Sequence, residues 1–165
     1  MNLILSKEPV KRAEQSIKEF DPNLKIIYLE QTARTAQDAA TALGCNVGAI
    51  VKSLLFSAGD NFVLCLVSGD KRCSLRALKK FLDEKDVSMA NPDDVKKITG
   101  YTIGGVSPVG HLSKVKIYID NNLDRFTTVF AAAGHPNCVF KIEFNQLVKL
   151  TSGKIIELAE WDNQN

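Results

Sequence analysis

The chain has 165 residues, the size of one ordinary globular domain, since domains usually span about 100–200 residues. Its hydrophobic fraction of 45% is enough for one sizeable core. The 21 basic and 19 acidic residues leave a formal net charge of only +2, which excludes a polycationic nucleic-acid-binding protein. Any contact with nucleic acid is therefore predicted to be local.

The cysteines, the histidines and the first residues predict a cytoplasmic protein without a metal. The four cysteines form no C-x-x-C pair, and two of them lie in apolar runs typical of strands, which favours free thiols in a reducing compartment. With only two histidines, we expect no zinc site and no other cofactor. No apolar run reaches the ~20 residues of a membrane span, and residues 1–6 are unlike a signal peptide, so no membrane contact is expected.

The first half of the chain predicts two helices, a strand and a hairpin. A helix with one apolar face is predicted to begin after Ser6, which is placed as its N-cap, and to end before Pro22. A second helix is predicted between Thr35, in a sequence like a capping box, and the stop signal Gly44. The predicted strands are residues 25–29, 49–56 and 62–67, the last two joined as a hairpin.

The second half predicts two capped helices followed mainly by strands. Ser74 and Asn91 are placed as N-caps, and the helix after Asn91 ends at Gly100. The remaining predicted elements are strands at residues 115–119, 127–132, 139–142 and 155–158 and a helix at residues 144–150. Because hairpins occur beside strands that alternate with helices, we expect one α+β (mixed α/β) domain, a mixed sheet flanked by helices.

One lysine and two glycine-bearing loops are the strongest candidates for a site. Lys52 lies in an apolar run, where a cation either reaches solvent or has a partner that offsets its desolvation. Residues 104–108 (Gly-Gly-Val-Ser-Pro) and 133–137 (Ala-Gly-His-Pro-Asn) offer backbone that can approach a ligand closely. Together they suit an anionic or carbonyl-bearing substrate. The alternatives are a lysine that faces solvent and ordinary turns.

Short motifs along nearly the whole chain resemble those of one family. In chain order they are TAQDAA at 35–40, LG at 43–44, IVKSL at 50–54, SGDKR at 68–72, TGY at 99–101, GGVSPVG at 104–110, Gly134 and LT at 150–151. Each motif is weak alone, but the ordered set resembles the YbaK-type aminoacyl-tRNA deacylases. These are related to the editing domain inserted in bacterial prolyl-tRNA synthetases.

The resemblance implies a fold, a reaction and partners. The fold would be a single free-standing domain over residues 1–165, with a curved, mostly antiparallel mixed sheet flanked by helices. The reaction would be hydrolysis of the ester that joins a wrong amino acid to the 3′ end of a tRNA. Aminoacyl-tRNA is the implied substrate, and prolyl-tRNA synthetase is a candidate partner. Cysteine, alanine, serine and 2-aminobutyrate on the tRNA for proline all remain open, and residues 135–139 depart from the pattern of some cysteine-specific relatives.

The resemblance also assigns site residues. The family's essential lysine corresponds to Lys52, and its Gly-x-x-x-Pro loop to Gly104 and Pro108. The full predicted catalytic set is Lys52, Gly104, Gly105, Ser107 and Pro108, and the predicted substrate-binding set is Thr35, Gly134 and His135. His135 would order water or bound the amino-acid pocket, with a purely hydrogen-bonding loop histidine as the alternative. For His111 we expect a surface position.

The expected mechanism does not use an enzyme nucleophile. The chain has no Gly-x-Ser-x-Gly elbow, and its two histidines have no evident serine or cysteine partner, so an acyl-enzyme triad is not expected. Backbone around residues 104–108 would hold the ester carbonyl and a water. The vicinal ribose hydroxyl, or the thiol of a cysteinyl substrate, would assist. Lys52 would contact the terminal phosphate or ribose.

A basic cluster is the candidate surface for the body of the tRNA. It consists of Lys71, Arg72, Arg76 and Lys79, on and before one predicted helix. Phosphate contacts of this kind would position the tRNA without reading its bases. The alternative is a solvated helix face. At the level of function, the alternatives are a catalytically silent adaptor that binds tRNA or protein and a hydrolase of other small esters.

Overall fold

A computed structural model describes residues 3–31 and 35–161, which contain both helices and strands. The α-helices within these ranges are α1 (Glu8–Phe20), α2 (Ala36–Leu43), α3 (Leu75–Leu82), α4 (Pro92–Thr99) and α5 (Phe144–Thr151). The strands are β1 (Ile26–Tyr28), β2 (Ile50–Ala58), β3 (Asn61–Ser68), β4 (Lys71–Cys73), β5 (Val87–Met89), β6 (Lys116–Asp120), β7 (Thr128–His135), β8 (Cys138–Glu143), β9 (Lys154–Ile156) and β10 (Ala159–Trp161). Short 3-10 helices cover Ile4–Ser6, Val47–Ala49 and Asn121–Arg125.

Most of the strands form one mixed sheet in the order β1-β8-β7-β2-β3-β6-β9, with β5 also paired to β2. The pairs β1–β8, β7–β8, β2–β3 and β2–β5 are antiparallel. The pairs β2–β7, β3–β6 and β6–β9 are parallel. A separate antiparallel pair joins β4 to β10. The structure thus has the expected mixed sheet, in which antiparallel pairs outnumber parallel ones.

Both faces of the sheet are buried. Successive residues of β3 point to opposite faces, and β3 carries apolar side chains on both. Leu64 and Leu66 pack with Ile17 of α1 in one core cluster. Val63 and Val67 pack on the opposite face, in a second cluster that includes Leu78 of α3. A smaller cluster places Ala39 and Ala40 of α2 against Ile50 and Val139. Helices therefore cover both faces, as predicted. Within the described ranges, no helix is long and apolar enough to cross a bilayer.

Three predicted N-caps are confirmed, and the predicted N-cap of the first helix is wrong. The Thr35, Ser74 and Asn91 side chains each accept a hydrogen bond from a backbone N–H in the first turn of the following helix. Ser6 is not the cap of α1, because it lies in a 3-10 turn and its hydroxyl donates to the Leu3 carbonyl. Lys7 occupies the cap position without a side-chain bond, and the proline in the first turn helps to start the helix.

The long strands lie within a few residues of their predicted positions, and so does the three-residue strand β1, whereas three other three-residue strands were missed. The hairpin of β2 and β3 is confirmed, while β7 extends three residues beyond its predicted end, as far as His135. The predicted last strand is replaced by β9 and β10, which belong to different sheets. The three-residue strands β4, β5 and β10 were not predicted, since so few residues carry no periodicity.

Candidate active site

A gap in the sheet beside β2 forms a cavity. β7 pairs with β2 only at Ile50 and Val51, and β5 joins the same edge of β2 at Phe56–Ala58. Between these pairings, no described strand covers that edge. A cavity of about 780 Å³ lies there. Since side chains alternate along a strand, both faces of β2 contribute to the lining of the cavity.

Two parts of the cavity lining contain the predicted catalytic residues Lys52 and Gly104. We call Lys52, Gly69 and Asp70 the lysine wall, and Ile103, Gly104, Val106 and Pro136 the glycine wall. Thr35 also lines the cavity, at the start of α2. Among the predicted site residues, Thr35, Lys52 and Gly104 therefore come together around one space. The remaining predicted catalytic and substrate-binding residues do not line this cavity.

Lys52 is half-buried, and its ammonium is anchored within the lysine wall. Its Nζ donates a hydrogen bond to the backbone carbonyl of Lys71. An ammonium has three donors, so it can hold a carbonyl and other partners at the same time. Lys52 therefore has a partner within the protein, and this hydrogen bond offsets the free-energy cost of desolvating its ammonium in an apolar run. Lys52 can meet an anionic or ester group in the cavity without leaving the strand.

Backbone from two loops is in direct contact at the glycine wall. Gly105 donates its N–H to the Thr102 carbonyl at 2.9 Å, and its own carbonyl accepts the Gly134 N–H at 3.1 Å. A Cβ on Gly105 would lie 2.9 Å from the His135 Cα. Gly104 has a φ of +91°, in the region that favours glycine, and faces Pro136. The two loops can therefore touch because Gly105 has no side chain, whereas Gly104 is the glycine that lines the cavity.

Ser107 and Pro108 are buried behind the glycine wall. Ser107 is fully buried, its Oγ accepts the Val109 N–H at 3.4 Å, and its carbonyl lies 2.7 Å from Nε2 of His111. Neither Ser107 nor Pro108 lines the cavity. Their positions favour a role in shaping the loop.

His135 also closes a loop. Its Nδ1 accepts the backbone N–H of Asn137 at 3.0 Å, which places the proton of the neutral ring on Nε2. Burial, followed by the nearby charge of Lys7, lowers the pKa of His135 and favours this neutral form. His135 does not line the cavity, whereas its neighbour Pro136 does. The geometry favours the hydrogen-bonding alternative for this residue.

His111 is not a purely surface residue, as was expected, because its ring is half-buried. Burial lowers its pKa, which favours the neutral imidazole, and Nε2 contacts the Ser107 carbonyl. It stacks edge-on to Tyr101, whose centroid is 6.1 Å away. Sequence reasoning missed this role because His111 is isolated in a polar loop, and its partner is a backbone atom.

Arg12 of α1 holds the end of the glycine loop from the other side. Its guanidinium donates to the carbonyls of Thr99 at 3.1 Å, Gly100 at 2.8 Å and Gly110. It also lies 4.4 Å from the centroid of Tyr101. Burial raises the pKa of Tyr101 to about 12, and its hydroxyl donates to the Val109 carbonyl at 2.8 Å. The loop is thus fixed by groups far away in the sequence.

An ion pair that sequence reasoning missed supports the lysine wall. Arg125 binds Asp70 through two nitrogen–oxygen contacts, at 2.7 and 3.0 Å. Burial would raise the pKa of Asp70, but hydrogen bonds from Arg125 and Ser68 and the Arg125 charge hold it below its ordinary value. Asp70 is therefore an anion at neutral pH. The SGDKR motif marked Asp70, whereas nothing in the sequence indicated Arg125, which lies 55 positions away.

The predicted basic cluster is only partly exposed. Arg76 and Lys79 face solvent on α3, and Arg72 pairs with Glu160 at 2.9 Å. Lys71 is buried, and its ammonium lies 3.0 Å from the centroid of Trp161, because β4 pairs with β10. The structure therefore removes Lys71 from the predicted approach surface for tRNA.

The described residues hold no group of three or more His, Cys, Asp or Glu side chains placed for a metal ion. The four cysteines are free thiols, and Cys65 and Cys138 are buried, as their apolar surroundings in the sequence predicted.

A family model for the aminoacyl-tRNA editing domain matches residues 30–150, which include both cavity walls. The chain belongs to the aminoacyl-tRNA editing domain family. This editing domain is 32% identical over 131 residues to the uncharacterised protein YwhH of Bacillus subtilis (strain 168), covering 79% of the chain and 83% of YwhH.

Two further comparisons connect the editing domain to prolyl-tRNA synthesis. It is 34% identical over 119 residues to the proline–tRNA ligase of Fervidobacterium nodosum, covering 72% of the chain but only 18% of the ligase. The solved structure of a candidate trans-editing enzyme for prolyl tRNA synthetase superposes with a TM-score of 0.89 at 34% identity, covering 93% of this chain and 98% of that one. The YbaK-type resemblance and the predicted fold are thereby confirmed.

Proposed function

We propose that this chain is a free-standing aminoacyl-tRNA deacylase that hydrolyses the ester of wrongly charged tRNA in trans. The observation that carries the proposal is the single cavity lined by Lys52, Gly104 and Thr35 in an editing-domain fold. The tRNA for proline is the proposed substrate. It is supported by the similarity to a proline–tRNA ligase and to a candidate trans-editing enzyme for prolyl tRNA synthetase.

The glycine wall would hold the ester carbonyl. The Gly105 N–H is already used by the Thr102 carbonyl. Among the described residues, none accepts a hydrogen bond from the N–H of Gly104 or Val106, and both residues line the cavity. Preorganised N–H donors stabilise the negative charge that develops on a carbonyl oxygen under attack. We assign that role to Gly104 and Val106.

The lysine wall would hold the nucleotide end of the ester. The Lys52 ammonium can bind the 3′-terminal phosphate or a ribose oxygen while its bond to the Lys71 carbonyl fixes its position. An aminoacyl ester is already activated, so orientation and a placed water supply the main catalytic effect. The vicinal ribose hydroxyl, or a cysteinyl thiol, would transfer the proton or attack the carbonyl.

The size of the amino acid would be limited by β7. Ala132 lines the cavity, whereas Ala131 and Ala133 face the core cluster that contains α1. The small side chain of Ala132 leaves room for a small amino-acid side chain. Each methylene added to the amino acid changes the selectivity of the enzyme by about 1–3 kcal/mol. Cysteine, alanine, serine and 2-aminobutyrate are the candidate amino acids.

A deacylation panel tests the proposal. The tRNA for proline is charged with each of these four amino acids, or with proline as the matched control, and ester loss is followed with purified protein. We expect rapid loss of at least one small amino acid and sparing of prolyl-tRNA. Binding of the tRNA without deacylation would favour the adaptor alternative. Hydrolysis of small esters that tRNA does not inhibit would favour the esterase alternative.

A further inference from the structure

Arg125 binds protein groups through all three nitrogens of its guanidinium, at the edge of the lysine wall. It lies in the 3-10 helix Asn121–Arg125, which follows β6. Its two terminal nitrogens bind the two oxygens of Asp70, and Nη2 also lies 2.8 Å from the Ser68 Oγ. Its Nε donates to the Asn122 carbonyl at 2.7 Å. This fork geometry fixes the orientation of Asp70, which a lysine could not do equally well.

The same contacts tie the end of β3 to its surroundings. Ser68 is fully buried, and its Oγ lies within hydrogen-bond distance of the Gly48 carbonyl and, at 3.0 Å, of Oδ1 of Asp70. Its backbone N–H lies 3.4 Å from Oδ2 of the buried Asp120. A Cβ on Gly69 would lie 2.2 Å from the Val47 carbonyl oxygen, so the backbone is tightly packed on that side as well. The turn after β3 therefore has little freedom to shift while these bonds hold.

This turn leads directly to the partner of Lys52. Asp70 is followed in the chain by Lys71, whose carbonyl accepts the hydrogen bond from the Lys52 ammonium. The carboxylate that Arg125 binds is thus one residue away from the carbonyl that anchors Lys52. Because Asp70 lines the cavity, losing its cationic partner would also leave an uncompensated anion beside the site.

We infer that Arg125 is a positioning residue. Through its two-pronged bond to Asp70, it fixes the turn at residues 69–71 so that the Lys71 carbonyl holds the Lys52 ammonium in its working position. Arg125 does not touch substrate. The inference rests on the proposed deacylation, because Lys52 has its role in that reaction. It adds a residue outside the cavity lining to the machinery of the site.

The test compares two single variants, the double variant and a control variant with the wild type in single-turnover and steady-state deacylation. For Arg125→Ala and Asp70→Asn we expect kcat to fall about tenfold to a hundredfold, with a smaller change in KM, since a misplaced group costs rate. The double variant should be no slower than the worse single variant, because the two residues act as one unit. Lys18→Ala, which breaks an exposed pair with Glu14, should keep kcat within about twofold.

Two further readouts separate positioning from general stability. The 15N NMR signal of the Lys52 ammonium should move in Arg125→Ala and stay in place in Lys18→Ala. In Arg125→Lys, the weaker partner should let the pKa of Asp70 rise, so the acidic limb of the kcat profile should shift to higher pH. All rates are measured below the unfolding temperature of each variant.

Several results would overturn the inference. They are an unchanged kcat in Arg125→Ala, an unchanged Lys52 signal, and multiplicative losses in the double variant. If the wild type removes no amino acid from any tRNA, the proposed function fails. The Lys52 signal then decides the positioning role alone, so the two failures are distinguishable.

Discussion

The two walls of the cavity are built by different kinds of interaction. At the lysine wall, charged side chains hold the geometry, through Lys52 on a carbonyl and Arg125 on Asp70. At the glycine wall, backbone meets backbone, as in the Gly134–Gly105 bond of 3.1 Å, and side chains contribute mainly from behind. The lysine wall should therefore be sensitive to changes in charge, and the glycine wall to added atoms.

The largest effect is expected at Gly105, where an added atom meets backbone. Gly105→Ala places a Cβ 2.9 Å from the His135 Cα, so one loop must move. We expect a loss of about 2–3 kcal/mol in the free energy of unfolding, together with loss of deacylation. Gly104→Ala is the matched control, because its Cβ would lie 3.4 Å from Pro136 and only its φ of +91° costs free energy. Equal stabilities of the two variants in urea unfolding would contradict the backbone-contact description.

The next largest effect on stability is expected at Arg12. This residue supports the glycine wall with a charged side chain, so its replacement shows whether the two walls differ as described. Arg12→Ala removes the guanidinium donor from the carbonyls of Gly100 and Gly110, and leaves the Thr99 carbonyl with only its 3.3 Å bond from the Leu112 N–H. We expect a loss of about 1–3 kcal/mol in unfolding free energy. Lys11→Ala, at an exposed position of the same helix, should change it by less than about 0.5 kcal/mol. If both variants unfold at the same denaturant concentration, Arg12 does not support the loop.

A smaller effect, on affinity alone, is expected outside both walls. Arg76→Ala combined with Lys79→Ala removes two exposed cations from α3. If they meet phosphates, tRNA affinity should fall for different tRNAs by similar factors, and the salt dependence should flatten by about 0.7–0.9 log units per lost contact. The rate at saturating tRNA should be unchanged. Lys96→Ala with Lys97→Ala removes the same charge from α4, and a larger loss there would place the approach surface on that helix.

The smallest effect is expected at Ser53, on the same strand as Lys52. Its Oγ is buried and has no hydrogen-bond partner among the described residues. Because an unsatisfied buried hydroxyl contributes nothing to folding, Ser53→Ala should leave the unfolding free energy unchanged or raise it slightly. Ser68→Ala removes a hydroxyl that bonds to Gly48 and Arg125 and should cost about 1–3 kcal/mol. Thermal unfolding of the two variants measures the contrast.

The sequence predicted features that depend on neighbours in the chain. Thr35, Ser74 and Asn91 cap helices because their bonds reach only three residues along the chain. Lys52 was conspicuous because its own strand is apolar. Ordered motifs then led from these local signals to the family.

What the sequence did not predict depends on contacts between distant residues. Arg125 meets Asp70 across 55 positions, and Arg12 meets Gly100 across 88. Lys71 looked like part of a surface cluster, but the pairing of β4 with β10 buries it under Trp161. Such contacts follow from the order of strands in the sheet, which periodicity does not encode.

The most direct test of the account is deacylation by Lys52→Ala. We expect the variant to stay folded, with a melting temperature close to that of the wild type. We expect its single-turnover rate on the best tRNA of the panel to fall at least about a hundredfold. Retention of the wild-type rate in the folded variant would contradict the assignment of this cavity as the active site.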